Sequence, residues 1–491
     1  MSKGIDLLYN LVKYPPSHFL FIIANFLISQ WNHYLILNIK LGPMKTILLL
    51  GAGLSSSSLI RYFLDHSDEF NWSLRVCDQD IQIVRKKLNN HPNAVALSFN
   101  ALNPSERRPE IESADLVISM LPARFHVEVA KDCIELKTNL ITPSYVSDEM
   151  KQLDAAAKEA GILIMNEIGV DPGIDHMSAC QILDEIRADK NAVIHSFKSF
   201  CGGLIAPSND TNPWNYKFTW NPRNVVIAGQ GPAAAFIEEK EYKYIPYGKL
   251  FERLETVEIE GYGLFEGYAN RNSLSYRPIY KLDTIPTIYR GTLRRPGFAK
   301  AWNIFVQLGM TEDSYTLENS EMLTPRNFIN AFLPFQTGES VENKFKRLFT
   351  KDDEELFHKF EWLGLFNDTL PLGIKNATPA QLLESILTKK WVLEPEDKDM
   401  LVMYHEFEYS LDSTRYKITS SMVNIGENQV YTSMSNTVGL PIAICGKMLL
   451  NDQINLKGVH IPVEKEVYAP ILNELQQFGI LFKENKLEFA Q

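Results

Sequence analysis

Residues 45–53 read KTILLLGAG, an apolar run that ends abruptly in Gly51-Ala52-Gly53. A short continuous run of this kind is a strand buried on both faces. Two glycines at its end leave few ways to continue. Gly51 permits a tight turn, and Gly53 lets the backbone come close to a pyrophosphate. The next helix then offers N–H groups and a favourable dipole to an anion. The usual third small residue falls at Ser56. Gly51, Gly53, Leu54, Ser55 and Ser56 are therefore candidate dinucleotide ligands. A plain turn would use the same glycines, so the weight of the reading rests on the pattern of the next hundred residues.

That pattern alternates. Helical periods at Ser55–His66, Ile81–Leu88, His126–Leu136 and Ser147–Glu159 separate apolar runs at Trp72–Cys77, Ala94–Ser98, Leu116–Met120, Asn139–Thr142 and Ile162–Met165. This spacing predicts an α/β fold with an N-terminal Rossmann-type, doubly wound parallel sheet. Asp78 closes the second run. A carboxylate there accepts from both adenosine ribose hydroxyls and repels a 2′-phosphate, which favours NAD over NADP. The competing role is a helix N-cap, open to Asp78 or Asp80. Ser119, Leu121 and Pro122 end the fourth run, beside the nicotinamide half of a cofactor bound in this way.

At 491 residues the chain is long enough for two or three domains. After about residue 169 the pattern changes to an α+β type, with strands expected over 194–205 and 255–262. A helix-rich stretch spans about 320–400, clearest at Lys344–Lys359, and Tyr404–Thr419 reads as strand–turn–strand. Val438–Leu450 starts a long apolar helix with Pro441 in its first turn. Val467–Phe478 reads as a last amphipathic helix. Residues 1–43 carry Lys3, Lys13, Lys40 and Asp6 as their charged side chains. Their apolar stretch at 19–28 is shorter than a spanning helix requires. The expectation is that the working chain starts at Met44, with a membrane-associating segment as the alternative.

A formal charge of -11 disfavours sequence-independent nucleic-acid binding. None of the five cysteines forms a CxxC pair, and the ten histidines supply no HxH or HxxxH set, so no metal is expected.

Two segments carry substrate-side chemistry. TPSYVS at 142–147 places Ser144 and Tyr145 after a strand end. NEIGVDPGIDH at 166–176 holds a turn at Asp171-Pro172-Gly173, with Asp175 as a possible helix cap and His176 beyond it. Together with ADLVISMLP at 114–122, YKFTWNPR at 216–223, RGTLRRPGF at 290–298 and NTVGLPIAICGKMLL at 436–450, these segments resemble the saccharopine dehydrogenase family of the glutamate-forming kind. The resemblance runs from Met44 to the C-terminus.

It implies interconversion of saccharopine with glutamate and 2-aminoadipate 6-semialdehyde, by hydride transfer through an imine, with NAD or NADP. It also implies that about 440–491 completes the Rossmann domain of 44–168, and that 169–439 binds substrate and makes homodimer contacts. Arg223 is the first expected carboxylate clamp, with Arg290 and Thr292 second. Asp171 is the expected partner of a substrate ammonium, and His176 a candidate acid–base. A cytoplasmic enzyme acting on a small amino-acid substrate, with no membrane or nucleic-acid partner, completes the expectation. A reductase of a related imine, such as carboxynorspermidine dehydrogenase, and a non-catalytic nucleotide-binding protein are the alternatives.

Overall fold

A computed structural model describes residues 43–349 and 354–489; the expectations for the first 42 residues lie outside them. Strands β1 (Lys45–Leu50), β2 (Trp72–Cys77), β3 (Ala94–Leu97), β4 (Leu116–Ser119), β5 (Asn139–Ile141) and β6 (Leu163–Met165) form one sheet. They are joined by β15 (Gly458–His460), giving the order β15-β6-β5-β4-β1-β2-β3. Every pairing in it is parallel. The strand order reverses between β1 and β4, which is where ligands bind in sheets of this type.

β1 is apolar because both of its faces are covered. Ile47 and Leu49 pack with Leu59, Phe63, Ile442 and Ile444 on one side. Leu48 and Leu50 pack with Val129, Cys133 and Ala157 on the other. Continuous burial replaces the alternation seen when one face meets water. The first face is closed by the helices Ser57–Asp65 and Ser433–Leu450.

The second sheet has nine strands, in the order β10-β11-β12-β7-β13-β14-β16, with β8 beside β12 and β9 beside β8. β7 (Ala192–Ile205), β12 (Thr287–Arg294), β13 (Asp399–Leu411) and β14 (Thr414–Ile425) are its long members. β8 (Ala234–Glu238), β9 (Glu241–Ile245), β10 (Glu255–Ile259), β11 (Gly263–Ala269) and β16 (Lys483–Glu488) are shorter. β7 and β12 run parallel and the other pairings are antiparallel. Short helices at Pro325–Asn330, Val341–Lys346, Glu354–Trp362 and Pro379–Leu387 gather around Phe345, Phe357 and Phe360.

Three expectations are corrected. The helix expected from Val438 begins at Ser433, because the Thr432 side chain caps it by accepting from Ser435 N at 2.9 Å. Pro441 therefore lies inside the helix, not in its first turn. The single helix expected over Ser147–Glu159 is two, Asp148–Lys151 and Asp154–Ala160. The chain beyond 440 joins the Rossmann sheet through β15 but does not end there: its last strand, β16, pairs with β14 of the second sheet. β16 reads KENKLE and is exposed throughout, so it lacks the alternation that marks a half-buried strand.

Candidate functional site

The glycine turn owes its shape to close packing on one side. Gly51 has φ +99°, and a Cβ there would lie 3.1 Å from the backbone of Met120. No L side chain fits this conformation without strain. A Cβ at Gly53 would meet nothing within 4 Å, so the protein's own packing does not demand glycine there. The space left open there fits a pyrophosphate, whose oxygens would need the backbone close.

A 3-10 turn at Leu54–Ser56 precedes the helix Ser57–Asp65, which starts slightly later than the pattern implied. Leu54 is exposed and Ser55 half-buried. The Ser56 hydroxyl donates to Gly53 O at 2.9 Å, and Ser58 donates to Asn436 Oδ1 at 2.6 Å. Those two hydroxyls brace the turn from within. Lys87 Nζ reaches over to Gly53 O at 2.5 Å and Ser56 Oγ at 3.1 Å. Burial pushes its pKa down to about 8, against the pull of Asp78.

Of the two acids that could cap the next helix, Asp80 does so, accepting from Gln82 N at 2.9 Å. Asp78 accepts from Ala52 N at 2.8 Å and Asp80 N at 3.1 Å, and remains half-buried beside the turn.

On the other side of the switch point, the ends of β4 and β5 meet around His126. Its Nδ1 lies 2.9 Å from Ser119 Oγ. Its Nε2 lies 2.8 Å from Ser144 Oγ and 3.0 Å from Thr142 Oγ1. Burial lowers its pKa to about 4, so the ring is neutral. Leu121 is half-buried and Pro122 exposed at the same strand end.

A buried charged cluster adjoins this group. Arg290 Nη2 donates to Asp171 Oδ1, and to Asp175 Oδ2 at 2.6 Å. Tyr145 Oη donates to Asp171 Oδ1 at 3.3 Å. Asp175 lies in the first turn of the helix Ile174–Arg187 instead of capping it, and its Oδ1 accepts from Gly173 N at 2.6 Å. Gly173 is obligatory, because a Cβ would lie 2.1 Å from Gly169 O. Burial raises the pKa of Asp171 although Arg290 opposes it. Asp175 is more deeply buried, yet His176, Arg290 and the Gly173 N–H outweigh burial and hold its pKa down.

His176 is fully enclosed. Its Nε2 lies 2.7 Å from Glu167 Oε2 and its Nδ1 2.8 Å from Tyr280 Oη. Burial opposes its charge, but Asp175 and Glu167 outweigh it and raise the pKa. With both nitrogens engaged, His176 presents neither to a substrate. This corrects the expectation of direct acid–base work there.

The structure thus joins Ser119 and Ser144 through His126, joins Tyr145 and Asp171 with Arg290, and bonds Arg223 to neither group. Arg223 pairs with Asp313, and its Nη1 lies 3.5 Å from Glu384. Glu384 belongs to the helix-rich region and Asp313 to the loop that leads into it, so the first expected clamp is already matched by charge. Thr292, two residues along β12 from Arg290, shares its face and stands opposite Cys201 of β7.

Three residues at the site lie outside the expected set, although Phe125-His126 and the motif at 290–298 share in the family resemblance. His126 opens a helix with nothing in its spacing to give it a role. Arg294 continues the two-residue period of Arg290 and Thr292. It is buried against Tyr216, Phe298 and Tyr268, and among the described residues no carboxylate lies within ion-pair distance of it. Arg271, with φ +51°, lays its guanidinium 5.2 Å from the Tyr145 ring centroid. The period on β12 is the available signal for Arg294. Arg271 lies in an irregular loop, where no period exists.

A parallel sheet with a glycine turn at its switch point, joined to a mixed sheet carrying a buried acid–guanidinium cluster, defines a two-domain dinucleotide-binding protein. The two parts match known families separately: residues 47–165 the saccharopine dehydrogenase NADP binding domain, and residues 169–480 the saccharopine dehydrogenase C-terminal domain. The chain belongs to the saccharopine dehydrogenase family.

It is 32% identical over 464 residues to the saccharopine dehydrogenase [NADP(+), L-glutamate-forming] of Saccharomyces cerevisiae, covering 90% of this chain and 99% of that one. It is 34% identical over 454 residues to the mitochondrial alpha-aminoadipic semialdehyde synthase of Mus musculus, covering 90% of this chain and 48% of that protein. The chain therefore spans about half the length of the mammalian relatives that it matches. The solved structure of the apo yeast enzyme superposes with a TM-score of 0.81 at 30% identity, over 90% of this chain and all of that one.

The matched N-terminal domain supports a nicotinamide cofactor, and both that domain and the yeast relative are named for NADP, against the NAD expected from Asp78. Among the described residues, no helix is long and apolar enough to cross a membrane and no group of side chains could hold a metal ion.

Proposed function

We propose that this chain is a glutamate-forming saccharopine dehydrogenase. Saccharopine, a nicotinamide dinucleotide in its oxidised form and water give glutamate, 2-aminoadipate 6-semialdehyde, the reduced dinucleotide and a proton. The observation that carries the reading is the Tyr145–Asp171–Arg290 cluster, set beside a dinucleotide turn in a chain that covers nearly all of a relative bearing that name. A bound nicotinamide would supply the hydride acceptor for the lysine-side methylene carbon attached to the secondary amine, the carbon that becomes the aldehyde.

The protein's own residues bind, orient and neutralise. Asp171 is the least buried acid of the cluster, and its raised pKa suits a group that meets the substrate amine. Arg290 fixes Asp171 in place and does not itself clamp a carboxylate. Arg294 and Arg271 are the cations left for the substrate's carboxylates, with Thr292 between the two arginines of β12. Positioning of this kind supplies much of a rate enhancement without a strongly titrating base.

The finer cofactor assignment rests on Asp78. The relatives' names point to NADP, but a half-buried carboxylate at the end of β2 favours the free ribose hydroxyls of NAD. Five buried, unpaired cysteines fit a reducing compartment such as the cytoplasm. A homodimer formed through the second sheet remains part of the proposal, testable by sedimentation.

The deciding experiment offers saccharopine to the purified full chain with NAD and with NADP in turn, following absorbance of the reduced nicotinamide. Oxidation with neither removes the activity, and faster oxidation with NADP overturns the role of Asp78.

A further inference from the structure

We propose that Asp399 is a positioning residue for the dinucleotide turn: from the second sheet it fixes the start of the helix Ser433–Leu450, and that helix sets the backbone that follows Gly53. The inference rests on the dinucleotide part of the reading above and not on saccharopine as the substrate.

A helix leaves its first N–H groups without partners of its own. Here the first three are all met by side chains. Asp399 Oδ1 accepts from Ser433 N at 2.5 Å, and Oδ2 accepts from Met434 N at 2.9 Å. Thr432 Oγ1 accepts from Ser435 N at 2.9 Å. Thr432 is the local cap. Asp399 is not local: it opens β13, 34 residues before Ser433, and is 2% exposed.

The same helix end is seated on β13 and β14. Ser433 Oγ donates to Asn424 O at 2.8 Å and accepts from Leu401 N at 3.1 Å. Gly426 N donates to Asp399 O at 2.9 Å. A Cβ at Gly426 would lie 2.3 Å from Asp399 Oδ1 and 2.6 Å from Ser433 N. The carboxylate fills the space that a side chain there would take.

The next residues of the helix meet the other sheet's helix, Ser57–Asp65. Ser58 N donates to Ser435 Oγ at 2.9 Å, and Ser58 Oγ donates to Asn436 Oδ1 at 2.6 Å. Between 433 and 439 the helix is thus bonded to the second sheet at its end and to the dinucleotide turn along its side. A rigid element held at both places transmits a shift from one to the other.

The carboxylate is held there against its solvation. Burial raises its pKa to about 6, although the Ser433 and Met434 N–H groups oppose the rise. Charged neighbours on the surrounding elements are few. Lys398 and Asp397 precede it, Asp397 being paired with Lys217, and Glu427 follows β14, paired with Arg61. The ends of β7 and β14 and the first turn of the helix carry none. A proton on Asp399 turns one accepting oxygen into a donor that faces an N–H. The dinucleotide is therefore expected to bind less tightly as pH falls through about 6.

Asp399→Asn keeps the shape and one acceptor. It is expected to weaken dinucleotide binding about tenfold at about pH 7.5, within the worth of one hydrogen bond to a charged group. The KM for saccharopine at saturating dinucleotide is expected to stay unchanged. In the parent the Kd is expected to rise about threefold from about pH 7.5 to about pH 5.5, and in Asp399→Asn to stay level. Ser435→Ala cuts the connection at the turn end. Its loss is expected to overlap with that of Asp399→Asn in the double variant, not to multiply. Fluorescence of the reduced dinucleotide, titrated well below the unfolding temperature, gives each Kd without turnover. A variant that is merely less stable binds there as the parent does.

An unchanged Kd in Asp399→Asn overturns the proposal. So does the parent's pH dependence surviving in that variant, or losses that multiply. Should Asp399→Asn not fold, the parent and Ser435→Ala carry the test: a level parent profile, or an unaltered slope in Ser435→Ala, overturns it. A parent that binds the dinucleotide but leaves saccharopine unoxidised sinks the substrate identity and leaves the role of Asp399 standing. A parent that binds no dinucleotide overturns both.

Discussion

Ala52 N–H donates to Asp78 Oδ2 at 2.8 Å, so the carboxylate that ends β2 also holds the turn that ends β1. One residue therefore supports the turn's backbone and sets the electrostatics of the adenosine side. The nearest cation bonded to that turn, Lys87, faces Gly53 O and Ser56 Oγ, not open water. A 2′-phosphate would meet the Asp78 charge before it met a free cation.

Replacing Asp78 by serine is expected to move the ratio of kcat/KM for NAD to that for NADP by about a hundredfold toward NADP. Two hydrogen bonds between a charged group and neutral hydroxyls are worth that much, and a repulsive charge is removed as well. Initial rates with each dinucleotide at saturating saccharopine measure it. An unmoved ratio would mean that Asp78 serves the turn alone.

Arg290 is nearly inaccessible and bonds two carboxylates, one of them fully buried. Arg290→Met would leave Asp171 and Asp175 facing each other without a cation. Breaking a buried pair from one side costs about 3–5 kcal/mol. The unfolding free energy from urea titration is expected to fall by that amount, and Asp171→Asn in the Arg290→Met background is expected to recover part of it. Arg223→Ala is the contrast. Its pairs with Asp313 and Glu384 are partly exposed, so about 1 kcal/mol or less is expected.

Two buried histidines make the fold acid-labile. Burial lowers both His126 and His405 to about 4. The unfolded chain takes up these protons near its ordinary histidine pKa of about 6.5, while the folded chain resists until about 4. Stability from this source is fully present above about pH 6.5 and is lost as pH falls toward 4. The loss is on the order of 3 kcal/mol per histidine. Thermal midpoints measured from about pH 7 down to about pH 4.5 are expected to fall steeply. His405→Gln, which retains a partner for Ser178 Oγ at the 2.7 Å contact, is expected to flatten the slope. A parallel slope would assign the lability elsewhere.

The parts of this molecule that were legible in the sequence are those where burial dictates composition. β1 is continuously apolar because both faces are covered, and Gly51 is glycine because Met120 leaves no room. The α/β class and the family followed from such segments. β16 was illegible because an exposed edge strand needs no pattern. The start of the helix Ser433–Leu450 was misplaced because its cap, Thr432, precedes a polar first turn and not an apolar one. The candidate site divided along the same line. Tyr145, Asp171 and Arg290 stand out by their motifs, but their grouping depends on which acids face which arginine. Sequence spacing cannot supply that, and so Arg223 and Arg290 were given roles that their acid partners already fill.

The helix Ser433–Leu450 gives a test of whether the turn and the distant chain act as one unit. A Cβ at Gly439 would lie 2.9 Å from Leu59 N, 3.1 Å from Leu59 Cβ and 3.1 Å from Ser55 O. Two of these three contacts are backbone, in the segment just after Gly53, and backbone there cannot give way without moving the turn. At Gly446, about two turns along the same helix, a Cβ would meet Phe63 Cζ at 3.0 Å and Leu116 Cδ2 at 3.1 Å. These are side-chain ends and can shift. Gly439→Ala is therefore expected to weaken dinucleotide binding about tenfold or more and to lower stability by about 1–3 kcal/mol. Gly446→Ala is expected to lower stability less and to leave binding unchanged. Fluorescence titration of the reduced dinucleotide measures both variants. Equal affinities would show that the helix Ser433–Leu450 packs on the turn without setting its shape.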